Sequence, residues 1–269
     1  MPTEPTPIGR HHALLTEFRR AFRSGPPETP LAIEGPRLLA EAIRSGVRVE
    51  KVLFSRRGLE QLGGKLLPQF SKHTAVGVAE DALFAAAMDA EHPQGVAALV
   101  ALTPPVLAQA FGERTLLVAA AGLQDPGNLG TLIRTADAFG ATGVVVLADS
   151  VSPYNPKAVR AGAGSLFHLP VVPRLPAAEL IAACQAHGAR LVATAARGST
   201  PLSEAGLDGP VCLLIGQEAA GVPRELLRAA EVTVSIPIQP RVESLNAGIA
   251  GAILLYEAAR QRGLSGAGR

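Results

Sequence analysis

The sequence predicts an α/β protein in two parts: a small N-terminal α/β domain and a larger C-terminal α/β domain on a parallel sheet. Three observations carry this reading. Short apolar runs of strand length alternate along the chain with segments whose apolar residues recur at spacings of three and four. In the second half those runs, such as Leu116–Ala121, are apolar throughout, as in strands covered on both faces. Between the halves lies LTPPVLAQAFGER, a Pro-bearing break. The expected divisions are a tail and helix over 1–30, a domain over 31–102, a linker over 103–113 and a domain over 114–269.

The elements follow in order. A Pro/Thr-rich tail leads to a basic helix over His12–Arg23, which SGPPETP ends. Leu31–Glu34 reads as a strand, and Pro36 opens a helix with the stripe Leu38, Leu39, Ala42 and Ile43. Strands are expected at Val49–Ser55, Thr74–Val78 and Val96–Leu102, with helices at Leu59–Phe70 and Asp81–Met88. In the second part, strands are expected at Thr115–Ala121, Gly143–Leu147, Leu169–Val172, Arg190–Ala195, Val211–Ile215 and Val232–Ile236. Helices are expected at Asn128–Phe139, Pro156–Ala161, Ala177–His187, Pro223–Arg228 and Leu245–Gln261.

Composition narrows the function. Of 269 residues 48% are apolar and 18% charged, a globular balance. No apolar run reaches the ~18 residues of a membrane span, and MPTEPTPIGR has no signal-peptide apolar region, so a cytoplasmic protein is expected. The two cysteines, Cys184 and Cys212, fit no metal-ligand spacing, and no metal is expected. With no tryptophan and 4% aromatic residues, a binder built on rows of stacking rings is disfavoured. Residues 1–75 hold twelve Lys/Arg against seven Asp/Glu, whereas residues 76–150 hold two against eight. A basic head suits an anionic partner such as nucleic acid; an ordinary solvated surface is the bland alternative.

In parallel sheets, ligands bind at the carboxyl ends of strands, and three such segments stand out. In GLQDPGNLGTLIR, Asp125–Asn128 is a turn and Asn128 a candidate helix cap. Arg134 lies off the stripe of Leu129, Leu132, Ile133 and Ala136, beside Gly130 and Thr131, where something large could come close; a surface ion pair with Asp137 is the alternative. In LIGQEAAG a buried strand runs into Gly216, where a ligand or another backbone could approach, and Glu218 follows. In IPIQPRVESLNAGIAGAILLY, Pro237 and Pro240 frame a rigid loop. Ser244 is expected to cap a helix with the stripe Leu245, Ile249, Ala252, Ile253 and Tyr256, and Asn246 stands in its first turn. A fourth stretch, PYNPKAVRAGAGSLFHL, offers Asn155, Lys157 and Arg160 as phosphate contacts but lacks the third glycine of a dinucleotide fingerprint.

Asn128-Leu-Gly130-Thr-Leu-Ile-Arg134 resembles the first motif of the SpoU (TrmH) family of SPOUT methyltransferases. Gly216-Gln-Glu218-Ala-Ala-Gly221 resembles the second, and Ile236-Pro237 with Ser244-Leu245-Asn246-Ala247 the third. The three stand in family order across residues 122–256, with no clear departure. LAIEGPRLLAEAI and KVLFS make residues 31–102 similar to the ribosomal-protein-like RNA-binding domain that often precedes this catalytic domain. The resemblance implies S-adenosylmethionine-dependent methylation of a ribose 2′-hydroxyl in structured RNA, ribosomal RNA before transfer RNA, by a homodimer pairing through the last helix. It also implies a deep trefoil knot at the cofactor site, a feature rare among folds. Carried over to this chain, cofactor contacts fall on Thr194, Gly216, Ile236, Leu245 and Asn246. The polar catalytic set is Asn128, Arg134, Glu218, Ser244 and Asn246, and RNA contacts fall on Arg134, Asn155, Lys157 and Arg160.

The incoming oxygen must be in line with a sulfonium methyl and lose its proton, yet the motifs hold no histidine or cysteine. A guanidinium is a poor base because it keeps its proton in proteins. Arg134 is therefore expected to hold the RNA phosphate and stabilise the developing alkoxide, with base catalysis as the alternative. Glu218 is expected to position Arg134, with Asn128 and Asn246 bracing the loops. An inactive RNA-binding module and a metabolic nucleotide enzyme are the competing classes; the intact motifs oppose the first and the missing glycine fingerprint the second.

Overall fold

The computed structural model describes residues 4–24, 30–88, 92–195 and 200–263. It divides into two compact units, residues 1–103 and 104–269.

The first unit runs β1 (Thr6–Pro7), α1 (Ala13–Ser24), β2 (Leu31–Glu34), α2 (Pro36–Arg44), β3 (Val49–Ser55), α3 (Arg56–Leu66), β4 (Ala75–Ala79), α4 (Asp81–Ala85) and β5 (Val96–Val100). Its mixed sheet has the order β1-β4-β3-β5-β2. β1, β4 and β3 are parallel, and β5 is antiparallel to both its neighbours. Leu15, Phe18, Leu53, Phe84 and Leu99 fill the core on one face. The tail carries strand β1, which sequence periodicity does not announce because two residues make no pattern. Helix α3 starts earlier than expected because the Ser55 side chain accepts from Gly58 N at 2.9 Å and caps it. Most of SGPPETP, expected to end α1, lies outside the described residues.

The second unit runs β6 (Leu116–Ala121), α5 (Pro126–Ala138), β7 (Gly143–Leu147), α6 (Pro156–Gly162), β8 (Val171–Leu175), α7 (Ala177–Ala186), β9 (Arg190–Thr194), β10 (Thr200–Pro201), β11 (Val211–Gly216), α8 (Arg224–Ala229), β12 (Val232–Ser235) and α9 (Ala247–Gln261). Its seven strands, all parallel, lie in the order β10-β12-β9-β11-β6-β7-β8. Every residue of β6 and β7 is buried, which accounts for their unbroken apolar runs. Leu117, Ala119 and Ala121 share one face with Leu180 and Cys184 of α7 and Leu226 of α8. Helices α5, α6 and α9 cover the other face. From β6 the chain works outward through β7 and β8, then returns to β9, and β11 slots in beside β6. That reversal brings the carboxyl ends of β6 and β11 together, as at a switch point of an open sheet.

Two close crossings set the helices on that face. A Cβ on Gly130 would stand 2.4 Å from Ala158 O and 2.6 Å from Ala161 Cβ, so α6 lies directly on α5. Of the small face expected to admit something large, Gly130 is thus covered by a helix of the same unit, while Thr131 and Arg134 stay exposed. A Cβ on Gly251 would stand 2.3 Å from Leu132 Cδ1, so α9 lies as close to α5 on another side. A helix apolar on one side and small on the others can pack on two sides at once, and in α9 the side with the small residues is the inner one. Its small residues Ala247, Gly248, Gly251 and Ala258 are buried with Leu254 and Leu255, while Ile249 and Tyr256 of the expected apolar stripe are 52% and 57% exposed. Close approach of α5 selects small residues for the inner face, an effect that hydropathy does not weigh.

Candidate active site

The site is built from the segments that follow β6, β11 and β12. After β6, the Asp125 side chain accepts from Asn128 N at 2.7 Å, and Pro126, whose missing N–H costs nothing in a first turn, begins the helix. Asp125 is therefore the cap expected at Asn128. Asn128, one turn inside, is left with its side chain free to cross to another segment. After β11, the loop folds back at once: a Cβ on Gly216 would lie 2.1 Å from the Gly221 carbonyl carbon and 2.3 Å from Val222 N. Gly221 N donates to Gln217 O at 2.8 Å with φ at +69°. The close approach at Gly216 is thus made by its own loop.

Before α9 the cap is again not the expected one. Asn246, not Ser244, caps the helix, its Oδ1 accepting from Ile249 N at 3.2 Å, and α9 begins at Ala247. Ser244 is exposed beside the cavity described next.

Glu218 joins the three segments. Its Oε1 accepts from the Asn128 side-chain amide at 2.7 Å, from Ala247 N at 3.0 Å and from the Asn246 amide at 3.4 Å. Asn246 also donates to Asn128 Oδ1 at 2.7 Å. A carboxylate at a helix N-terminus is stabilised by the free N–H groups and the helix dipole. The expected positioning of Arg134 by Glu218 is not what these bonds serve; they lock the loop after β11 onto α5 and α9.

Beside this network, over the carboxyl ends of β9, β11 and β12, lies a cavity of about 360 Å³. Of the expected cofactor residues, Thr194, Gly216, Ile236 and Leu245 line it, with Ser244 and Glu218. Asn246 does not, being held in the network. Sequence reasoning missed Ala195, Gln217 and Ile238 in the wall. Thr194 donates its hydroxyl to Leu214 O at 3.0 Å. The segment 236–246 forms no helix or strand, and Ile236, Ile238 and Leu245 of it line the cavity. Apolar walls with a few polar groups at their edges suit a small organic ligand. Among the described residues no cluster of His, Cys, Asp or Glu could hold a metal, and Cys184 and Cys212 are buried free thiols.

Arg134 is exposed on α5, six residues beyond Asn128. The alternative role as partner of Asp137 is not realised: Asp137 Oδ2 instead accepts from His168 Nδ1 at 2.8 Å. Asn155 caps α6, its Oδ1 accepting from Lys157 N at 2.9 Å, so that oxygen is spent within the protein. Lys157 is exposed and Arg160 half-buried on the helix that packs against α5.

A parallel α/β sheet with a cavity over the carboxyl ends of its strands belongs to the class of folds that bind ligands at that edge, and comparison with known proteins gives its family. The chain belongs to the SpoU rRNA Methylase family, which matches residues 115–256. It is 36% identical to the 23S rRNA (guanosine(2553)-2′-O)-methyltransferase RlmP of Bacillus subtilis, over 83% of this chain and 86% of that protein. It is 33% identical to the 23S rRNA (uridine(2479)-2′-O)-methyltransferase of Streptomyces viridochromogenes, over 93% of this chain and 88% of the relative. The crystal structure of the SpoU methyltransferase AviRb from Streptomyces viridochromogenes in complex with AdoMet superposes with a TM-score of 0.83 at 31% identity, over 96% of this chain and all of that one. Among the described residues no helix is long and apolar enough to cross a membrane.

Proposed function

We propose that this protein transfers the methyl group of S-adenosylmethionine to a ribose 2′-hydroxyl of ribosomal RNA. The observation that carries the reading is the strand-end cavity with Glu218, Asn128 and Asn246 tying its walls together. The two relatives named as 23S rRNA 2′-O-methyltransferases and the AdoMet-bound neighbour support the substrate and the cofactor. Thr194, Gly216, Ile236, Ile238 and Leu245 hold the cofactor, which supplies an electrophilic methyl on a sulfonium sulfur.

The residues then divide the work. Arg134, exposed and without a hydrogen bond or ion pair among the described residues, takes an RNA phosphate and stabilises the negative charge that develops on the attacking oxygen as the hydroxyl proton passes to solvent water. Lys157 and Arg160, on the helix that crosses α5 at Gly130, extend the phosphate-binding face. Ser244 reaches the bound substrate from the cavity rim, while Asn128, Glu218 and Asn246 keep the walls in register. The first unit, with its excess of Lys and Arg over residues 1–75, grips structured RNA through phosphates. The loops 216–222 and 236–246 form the deep trefoil knot implied by the family motifs. The chain works as a homodimer through α9, whose exposed Ile249 and Tyr256 need cover.

The test is methyl transfer from labelled S-adenosylmethionine to 23S rRNA, 16S rRNA and transfer RNA by the purified protein. Label on a 2′-oxygen of rRNA is expected. Label on transfer RNA alone replaces the substrate, and no transfer to any RNA overturns the reading.

A further inference from the structure

Residues three apart on a helix are surface neighbours, and an arginine followed at that spacing by an aspartate has a ready counter-ion. Arg134 and Asp137 of α5 stand in this relation but do not pair. The Asp137 carboxylate accepts from His168 Nδ1 at 2.8 Å, with the two side chains 28% and 38% exposed. His168 follows a short turn of 3-10 helix, Ser165–Phe167, that packs against α5. Arg134 is exposed, and no acceptor among the described residues takes its guanidinium.

We propose that His168 is a positioning residue for methyl transfer: it holds the Asp137 carboxylate and so keeps Arg134 available to an RNA phosphate. The inference rests on the reading of Arg134 given under Proposed function. A carboxylate and a phosphate compete for the same guanidinium fork, because both accept two parallel N–H bonds. A captured Arg134 would have to be released before RNA could use it. His168 removes that competitor without itself entering the cavity, whose lining does not include it.

The test compares His168→Ala, Asp137→Asn and the double variant in steady-state methylation of 23S rRNA, with AdoMet affinity measured beside it. His168→Ala is expected to raise KM for RNA about two- to fivefold, the worth of an exposed ion pair, and to leave AdoMet affinity alone. The double variant is expected to recover the wild-type KM, because no carboxylate remains to capture Arg134. Asp137→Asn removes the competing carboxylate while its amide oxygen can still accept from His168, and no rise in KM is expected. An unchanged KM in His168→Ala overturns the proposal, as does a deficit that persists in the double variant or a similar rise in Asp137→Asn. The wild type run alongside separates the two readings. Its failure to methylate any RNA overturns the function proposed above, whereas an active wild type with an indifferent His168→Ala variant overturns this inference alone.

Discussion

Asn246 donates its side-chain amide to Asn128 Oδ1 at 2.7 Å across 118 residues of chain. Each of the two also bonds Glu218 Oε1, so the first turns of α5 and α9 are fastened to the loop after β11 at one carboxylate. The strand-end cavity lies beside this junction, with Glu218 in its wall, and Arg134 stands under two turns further along α5.

Arg134→Lys tests the need for a planar fork. A lysine keeps the charge but loses the two parallel donors, and turnover at saturating AdoMet is expected to fall about tenfold or more. Initial rates with labelled AdoMet check this; near-normal turnover shows that charge alone suffices.

Gly216→Ala and Gly130→Ala separate site from scaffold. The new methyl at Gly216 meets the backbone of Gly221 and Val222, so the loop must move. AdoMet affinity is expected to fall by about tenfold or more, each factor of ten being ~1.4 kcal/mol. At Gly130 the methyl meets Ala158 O, and α6 must lift from α5. That overpacking is expected to cost about 1–3 kcal/mol of stability. Calorimetric titration and urea melts on both variants give the comparison.

Tyr154 is 3% exposed, and its hydroxyl has no partner among the described residues. Burial pushes its phenol from 10 up to about 12. The folded state therefore holds the proton more tightly than the unfolded chain. The stability this contributes is fully present below pH 10 and is lost as pH rises from 10 towards 12. Tyr154→Phe deletes an unsatisfied group and is expected to be neutral or stabilising by up to about 1 kcal/mol. Its denaturation midpoint is also expected to decline less across that alkaline range.

A chain beginning at Pro104 is expected to bind AdoMet as the full protein does, since every residue lining the cavity lies beyond that point. Its affinity for rRNA is expected to fall by about an order of magnitude, with a shallower salt dependence, because phosphate contacts are lost. Equal affinity and equal salt slope argue against the RNA-binding role of the first unit.

Light scattering at micromolar concentration is expected to give twice the 27.7 kDa chain mass. Ile249→Glu combined with Tyr256→Glu places two charges on the exposed face of α9 and is expected to yield monomers. A wild-type monomer that still transfers methyl groups removes the dimer from the mechanism.

The parallel sheet was legible because β6, β7 and β11 are short apolar runs between breaks, and buried strands look like that. The outward face of α9 was not. Hydropathy marks Ile249 and Tyr256 as part of an apolar stripe without saying which side meets the core, and Leu132 approaches Gly251 so closely that no side chain fits at that position. Both caps in the site were read at the wrong residue, Asn128 for Asp125 and Ser244 for Asn246, because several polar residues in a row satisfy the same local pattern. Asp-Pro at 125–126 was a usable signal, with a cap followed by proline in the first turn. Ala195 and Ile238 stand one and two residues from Thr194 and Ile236, but as apolar side chains in the cavity wall they carry no local mark of their own.

The junction at Glu218 also bears on how the protein is made. Its partners are emitted in the order Asn128, Glu218, Asn246, so a chain growing from its N-terminus carries the arginine-bearing helix long before the third wall exists. Domains fold as they are synthesised, and contacts of such long sequence separation close late. The first unit is therefore made and folded while the strand-end cavity still lacks the wall that residues 234–250 supply. On the function proposed above, any RNA the first unit takes at that stage meets a pocket that only the last segment completes.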